Sequence, residues 1–187
     1  MFRVAWSLLG AVFTYTKIGW WGLVLPRMQK HLVVAQAIVY GDDGILLAVR
    51  RDLQGWELPG GKIEEDETAE AAVCREVREE TGLIVEVDRY VGDYVRTGFR
   101  PHTAKIFLCR QVGGAFQTNW ETLGLRWFSL ESLPDTLFAW FREPLRDAFS
   151  GSAPPPVTKT NRQGVREILA AVQIDLRMRI SNNQAGS

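Results

Sequence analysis

Cysteine and histidine are scarce in this chain, which has two of each among its 187 residues. Cys74 and Cys109 stand in helical or apolar patterns, and neither is spaced with a histidine as zinc ligands are. We expect two packed, reduced thiols, with a disulfide between them as the weaker alternative. So few histidines also give little support to an imidazole as the general base of a reaction.

An excess of charge of one sign is also missing, because 22 Lys and Arg residues balance 22 Asp and Glu residues. The absence of a basic field disfavours a protein that generally binds DNA or RNA, although a small nucleotide is still allowed as a substrate. Apolar residues make up 46% of the chain. This content is enough for a folded core and argues against disorder over most of the chain.

One long apolar run lies near the N-terminus, where residues 4–26 contain Lys17 as their only charge. The run is long enough to span a bilayer, but polar residues at 14–17 interrupt its middle. We predict that residues 1–30 form a helical segment packed on its own domain, with membrane contact through residues 4–25 as the alternative. We expect a cytoplasmic protein in both cases. If the run is inserted in a membrane, Arg27 and Lys30 would hold the rest of the chain on the cytoplasmic side.

Residues 31–150 alternate between strand-like and helical patterns and form one predicted domain. Two apolar runs are joined by GDDG, which is typical of a hairpin turn, and three further strand-like runs follow residue 82. Residues 136–150 suit a helix that Pro144 would kink or split. Strands around at least two helices predict an α/β or α+β sandwich.

The C-terminal part divides into a predicted linker at residues 151–162 and a predicted amphipathic helix with its tail at residues 163–187. The apolar residues of that helix recur at helical spacing, at Val165, Ile168, Leu169, Val172 and Leu176. This apolar stripe is expected to cover the N-terminal helix, the domain, or a second copy of the chain in a homodimer.

Acidic residues are concentrated in one segment, with eight carboxylates between residues 64 and 80. Thr68 is a suitable N-cap, and Gly82 is expected to end the helix that follows. With Val73 and Val77 on the buried side, helical geometry places Glu76, Glu79 and Glu80 together beside that side. The same geometry places Arg75 and Arg78 towards the opposite side.

Carboxylates crowded at the edge of a buried surface repel one another, and a divalent cation would remove that repulsion. An all-oxygen ligand set favours Mg²⁺, with Mn²⁺ as the alternative. A solvated charge cluster neutralised by Arg75 and Arg78 is the competing interpretation. It is disfavoured here because both arginines are expected on the far side of the helix.

The same residues resemble the signature of the Nudix hydrolase family, which is Gly, five residues, Glu, seven residues, and Arg-Glu-apolar-any-Glu-Glu-any-Gly-apolar. All nine fixed positions are filled, by Gly61, Glu67, Arg75, Glu76, Val77, Glu79, Glu80, Gly82 and Leu83. The resemblance covers about residues 31–150 and implies an α/β/α sandwich with a mixed sheet. It also implies metal-dependent cleavage of a nucleoside diphosphate linked to another group, which gives a nucleoside monophosphate and the phosphorylated group.

Carried over residue by residue, the resemblance implies metal ligands in Glu76, Glu79, Glu80 and the carbonyl oxygen of Gly60. It also implies a structural ion pair between two further residues, Glu67 and Arg75.

The catalytic carboxylates are expected among Glu76, Glu79 and Glu121, and the general base is left open between Glu76 and Glu121. Arg51 follows the second strand and is our candidate for contact with a substrate phosphate. Arg96, Arg100 and His102 are further candidates, for which simple solvation is the alternative.

A small-molecule nucleotide is the expected substrate, and nucleoside diphosphate sugars and oxidised nucleoside triphosphates are both compatible with the sequence. The competing functions are a nucleotide-binding sensor that does not turn over its ligand and a membrane-associated member of the same family.

Overall fold

The computed structural model describes residues 12, 15, 16, 32–98, 101–151 and 155–184, of which 182–184 are described for the backbone only. The strands are β1 (Leu32–Gly41), β2 (Gly44–Arg50), β3 (Trp56–Glu57), β4 (Gly60–Lys62), β5 (Leu83–Gly98), β6 (His102–Gly114), β7 (Thr122–Phe128) and β8 (Val157–Gln163). The helices are α1 (Ala69–Thr81), α2 (Arg142–Ala148) and α3 (Val165–Gln184), with short 3₁₀ turns at Leu130–Ser132 and Ala139–Phe141.

The described strands form one mixed sheet in the order β3-β2-β1-β6-β5-β8, with β4 paired to β1 and β7 paired to β2. The predicted GDDG hairpin is confirmed, since Tyr40 pairs with Ile45 and Gly41 with Gly44. β1 runs parallel to β6, and β5 runs antiparallel to β6. This pairing places β1 in the middle of the sheet, next to the short strand β4 that leads into the acidic segment.

Helices cover both faces of the sheet around β1. Ala35, Ala37 and Val39 pack with the residues of α1, whereas Ile38 belongs to the core shared with α2 and α3. Burial on both faces explains the largely apolar sequence of this strand, in which Gln36 is also buried. The α/β/α sandwich with a mixed sheet is therefore confirmed, and Cys74 and Cys109 are both free thiols as expected.

The predicted linker at residues 151–162 is wrong for its second half, which forms β8. β8 runs parallel to β5, from the pair Gly92–Val157 to the pair Gly98–Gln163. Its polar composition concealed a strand because an edge strand needs only one face to be covered. The domain boundaries themselves stay predictions.

The predicted helix at residues 136–150 is shorter than expected and begins at Arg142. Pro144 lies in its first turn, where the missing N–H removes no intrahelical hydrogen bond, so the proline neither kinks nor splits the helix. A 3₁₀ turn leads into the helix and brings Phe138 and Phe141 into the core.

The C-terminal helix α3 is present, and it covers the predicted apolar stripe only in part. Val165 and Leu169 are exposed, whereas Ile168, Val172 and Leu176 are half-buried. The fully buried line of the helix is formed instead by Ala171, Asp175 and Arg179. Ala171 packs in the core beneath the sheet, so the helix covers the domain rather than standing away from it.

The predicted N-terminal helical segment lies outside the described residues except at Val12, Tyr15 and Thr16, which are helical. Within the described part of the chain, no helix has the length and apolarity needed to cross a membrane. The hydroxyl of Tyr15 donates a hydrogen bond to the carboxylate of Asp175 on α3.

Candidate active site

Both predicted ends of the acidic helix α1 are confirmed. The side chain of Thr68 accepts a hydrogen bond from the N–H of Ala71 at 3.1 Å. Gly82 ends the helix with φ of 75°, a left-handed conformation that glycine adopts without steric cost. Because Val73 and Val77 are fully buried against the sheet, the rotation of the helix about its axis is fixed.

That rotation places the three candidate metal ligands at different depths. Glu80 is buried, with 9% of the residue exposed. The Glu76 side chain is 16% exposed and the Glu79 side chain 57% exposed. The predicted patch beside the buried stripe is therefore a row that runs from the protein interior to solvent.

The loop of Gly60 and Gly61 lies directly against this row. The N–H of Gly60 donates to Glu80 Oε2 at 2.9 Å. A Cβ added to Gly61 would lie 2.5 Å from the carboxyl carbon of Glu76, so a side chain there would displace that carboxylate. Gly61 thus allows the backbone of β4 to approach Glu76, whereas a Cβ at Gly60 would meet the Ala35 carbonyl of β1.

Burial and like charges shift the ionisation of these acids. Burial raises the pKa of Glu80 to about 7; the N–H of Gly60 and the charge of Arg50 oppose this rise, and the charges of Glu76 and Glu121 add to it. Burial also raises the pKa of Glu76, although Arg75 opposes that change. The negative charge of the site is therefore only partly neutralised by the protein.

Glu57 and Arg50 extend the site along β3 and β2. Burial raises the pKa of Glu57 to about 8, with the charge of Arg50 opposing the rise. Arg50 Nε lies 2.9 Å from Asp52 Oδ1 and 3.7 Å from Glu57 Oε1, so its closest carboxylate is Asp52. Sequence reasoning missed both Arg50 and Glu57, although Glu57 lies within the GWELPGG segment that precedes the acidic stretch.

The expectation that Arg75 points away from the acids is wrong. Its guanidinium contacts Glu67 through Nε and Nη2, each at 2.9 Å, and reaches Glu76 at 2.9 Å and Glu79 at 3.3 Å. It also donates to the carbonyl of Lys62 at 3.0 Å. The long side chain curves back along the helix surface, which a projection of Cα positions does not show.

Arg75 therefore joins Glu67, before the helix, to the outer carboxylates of α1. The deepest carboxylate, Glu80, is not among its contacts, so neutralisation by Arg75 does not account for the whole acidic cluster.

Glu121 is brought to the same region from the loop before β7. Its charge is among those that raise the pKa of Glu80. Asn119 fixes this loop, because its Oδ1 accepts from the N–H of Glu121 at 2.9 Å and its Nδ2 donates to the carbonyl of Glu79 at 3.2 Å. The structure thus groups Glu121 with the carboxylates of α1.

The predicted phosphate contact, Arg51, points elsewhere. Its Nε donates to the carbonyl of Trp120 at 2.7 Å, next to Glu121. Arg50 is the arginine whose charge interacts with the buried acids Glu57 and Glu80.

The three further candidates have different positions. Arg96 is 5% exposed and lies over the ring of Phe141, and burial lowers its pKa to about 10, so it is not a solvated arginine. His102 begins β6, and Arg100 lies outside the described residues.

Among residues 32–98, 101–151 and 155–184, no group of three or more His, Cys, Asp or Glu side chains is arranged to hold a metal ion. The chemistry of the donors nevertheless fits a hard cation. Glu80 is a buried carboxylate whose pKa is raised and whose neighbours include further carboxylates. A divalent ion would stabilise the ionised form of such a group.

A profile of the NUDIX domain matches residues 30–149 of the sequence. The chain is a member of the Nudix family. It is 41% identical over 125 residues to a MutT-like protein of Streptomyces ambofaciens, a match that covers 66% of this chain and 80% of that one. It is 36% identical over 119 residues to the ADP-ribose pyrophosphatase of Methanocaldococcus jannaschii, covering 60% and 70% of the two chains.

The fold of this Nudix protein is similar to the crystal structure of an ADP-ribose pyrophosphatase from Streptococcus suis. The TM-score is 0.56 at 30% identity, and the match covers 71% of this chain and all of that one. The protein is thus a Nudix hydrolase that acts on phosphoanhydride bonds of small nucleotides, and enzymes of this family generally use divalent metal ions. β8 and α3 lie beyond the matched domain.

Proposed function

We propose that this enzyme cleaves a nucleoside diphosphate linked to a second group, and that it releases a nucleoside monophosphate and the phosphorylated second group. One observation carries the proposal: Glu80 and Glu76 lie against the Gly60–Gly61 loop, one buried and one partly buried, and the charge of Glu76 adds to the rise in the pKa of Glu80. Such an arrangement destabilises the empty site and favours the binding of a cation, as a reaction on a charged diphosphate requires.

Glu76, Glu79, Glu80 and the Gly60 carbonyl would hold Mg²⁺, or Mn²⁺ in its place. When bound, the ion supplies positive charge that offsets the diphosphate and lowers the pKa of water. Glu67 and Arg75 maintain the position of the outer carboxylates, since Arg75 joins Glu67 to both Glu76 and Glu79.

Two carboxylates are candidates for the base that accepts a proton from the attacking water. Burial raises the pKa of Glu76, which makes this carboxylate a stronger proton acceptor. Glu121 lies on the neighbouring loop, and its charge adds to the rise in the pKa of Glu80. The pH–rate profile of Glu121→Gln separates them, because Glu121 is not among the proposed metal ligands. Loss of the acidic limb of kcat in this variant would identify Glu121 as the base, and an unchanged limb would favour Glu76.

Arg50 is the best-placed arginine for a substrate phosphate, because it faces Glu57 and Glu80. Arg51 is one residue further along the chain and stays a proposed second contact, which requires it to leave the Trp120 carbonyl.

A hydrolysis screen tests the proposal. The purified full chain is incubated with Mg²⁺ or Mn²⁺ and with ADP-ribose, nucleoside diphosphate sugars and oxidised nucleoside triphosphates, and the products are identified by chromatography. We expect a nucleoside monophosphate and phosphorylated second product from at least one substrate, and no product in excess chelator. Release of free nucleoside would contradict the cleavage position, and tight binding without product would favour the nucleotide-binding sensor.

A further inference from the structure

The C-terminal helix α3 buries an ion pair where an amphipathic helix would bury apolar residues. Asp175 is 0% exposed and Arg179 8% exposed, whereas Val165 and Leu169 are 71% and 57% exposed. A buried ion pair adds stability only when its remaining donors and acceptors are also satisfied. The partners of this pair therefore indicate what the helix does.

Two of those partners are backbone groups of the loop that joins β2 to β3. Asp175 Oδ1 accepts from the N–H of Gln54 at 2.6 Å, and Arg179 Nη2 donates to the carbonyl of Asp52 at 3.1 Å. The pair is closed by Arg179 Nε, 2.8 Å from Asp175 Oδ2, and the Tyr15 hydroxyl donates to the same carboxylate. The helix thus holds the loop at two points.

The same loop binds the side chain of Arg50, the arginine that faces the buried acids. The Asp52 carboxylate binds Arg50 through two hydrogen bonds, of 2.9 and 3.0 Å. The positive charge of Arg50 in turn opposes the rise in the pKa of Glu57 and of Glu80. Fixing the backbone at Asp52 therefore fixes the carboxylate that orients the Arg50 guanidinium.

We propose that Asp175 and Arg179 are positioning residues for substrate binding, which hold the loop of residues 51–55 so that Arg50 is oriented towards the phosphates. The inference rests on the proposed function for its substrate. It makes α3, which lies outside the matched domain at residues 30–149, a part of the substrate-binding unit.

A matched pair of double variants isolates the contact to Gln54. Asp175→Ala with Arg179→Met removes the buried pair without leaving an unpaired charge, whereas Asp175→Asn with Arg179→Met keeps an oxygen that accepts from the Gln54 N–H. We expect KM to be roughly tenfold higher in the alanine variant than in the asparagine variant, with kcat little changed, as loss of one hydrogen bond predicts. Arg177→Ala, an exposed position on the same helix, is the control and should keep both constants.

Addition of Arg50→Gln tests whether the effect passes through Arg50. If it does, the alanine double variant and Arg50→Gln together should raise KM by less than the product of their separate effects. The proposal would be overturned if the two effects on KM multiply in the combined variant. It would also be overturned by equal KM values in the alanine, asparagine and Arg177 variants.

Hydrogen exchange supplies a measurement that needs no substrate. The amide of Gln54 should exchange faster in the alanine variant than in the asparagine variant, while amides of β1 and β6 keep their protection. Unchanged exchange at Gln54 would overturn the proposed role of Asp175. An inactive parent protein would refute the proposed function alone, because the exchange result decides the loop contact independently.

Discussion

Replacement of Glu80 by Gln should stabilise the metal-free protein at alkaline pH while it reduces activity. The carboxyl group of Glu80 has an ordinary pKa of 4.5, and burial raises it to about 7 in the folded chain. The folded state therefore holds this proton more tightly than the unfolded state does. Consequently the stability contributed by Glu80 is present at low pH and is lost as the pH rises from about 4.5 to about 7.

The size of the effect follows from the shift in pKa. A shift of this size corresponds to about 3 kcal/mol between the two limits, since one pKa unit is about 1.4 kcal/mol. This is an upper limit, because the charges of Glu76 and Glu121 contribute part of the repulsion. A gain of 1 to 3 kcal/mol raises the melting temperature by roughly 3–10 °C in a chain of this size.

The assay is thermal unfolding in excess chelator at about pH 5 and about pH 8, which bracket most of the titration. Glu80→Gln should melt several degrees above the parent at the higher pH and near the parent at the lower pH. Glu79→Gln is the matched control, because Glu79 is 57% exposed on the same helix and should change stability little at either pH. Equal or lower stability of Glu80→Gln at the higher pH would refute the reasoning.

Addition of Mg²⁺ provides the second half of the same experiment. Binding of Mg²⁺ to the folded state should raise the melting temperature of the parent. The increase should be smaller in Glu80→Gln, and turnover on the best substrate of the screen should fall steeply. Undiminished turnover with unchanged metal dependence would mean that Glu80 is not a ligand.

Three further changes test neighbouring parts of the structure. Gly61→Ala should leave the chain folded but reduce kcat by about 100-fold or more, because its Cβ would displace the Glu76 carboxylate; circular dichroism and turnover measure the two effects. Glu67→Gln should reduce activity more than melting temperature, because Arg75 loses the carboxylate that holds it at the helix start; equal loss in both would contradict this. Deletion of residues 1–26 should lower stability or solubility if the segment packs on the domain; a variant that no longer needs detergent would instead support membrane contact.

The features that could be predicted from the sequence are those set by local chemistry. Thr68 and Gly82 mark the ends of α1 because capping and left-handed backbone depend on single residues. The GDDG hairpin and the apolar strand β1 follow from short patterns for the same reason. The grouping of Glu76, Glu79 and Glu80 on one side of a helix also needs only the helical repeat.

The features that could not be predicted depend on contacts between distant residues. β8 is a strand because β5 offers it a free edge, not because its own residues are strongly β-forming. The different depths of the α1 carboxylates depend on how the helix packs against the sheet through Val73 and Val77 and against the Gly60–Gly61 loop. Burial of Asp175 and Arg179 runs against the usual exposure of charged residues, and it is explained by their hydrogen bonds to each other and to the backbone of Asp52 and Gln54.

The position of Arg50 connects the two helices through the site. An arginine that paired directly with Glu80 would neutralise it and remove the attraction for a divalent ion, as Arg75 partly does for Glu76. Asp52 binds Arg50 at 2.9 and 3.0 Å, and Arg50 affects Glu80 only as a nearby charge. Asp175 and Arg179 hold the backbone on either side of Leu53 and so keep Asp52 in position to bind Arg50. The helix α3 would thereby help to prevent a direct ion pair between Arg50 and Glu80. Under the proposed function, the arginine would then stay available to a substrate phosphate, and Glu80 would stay available to the ion.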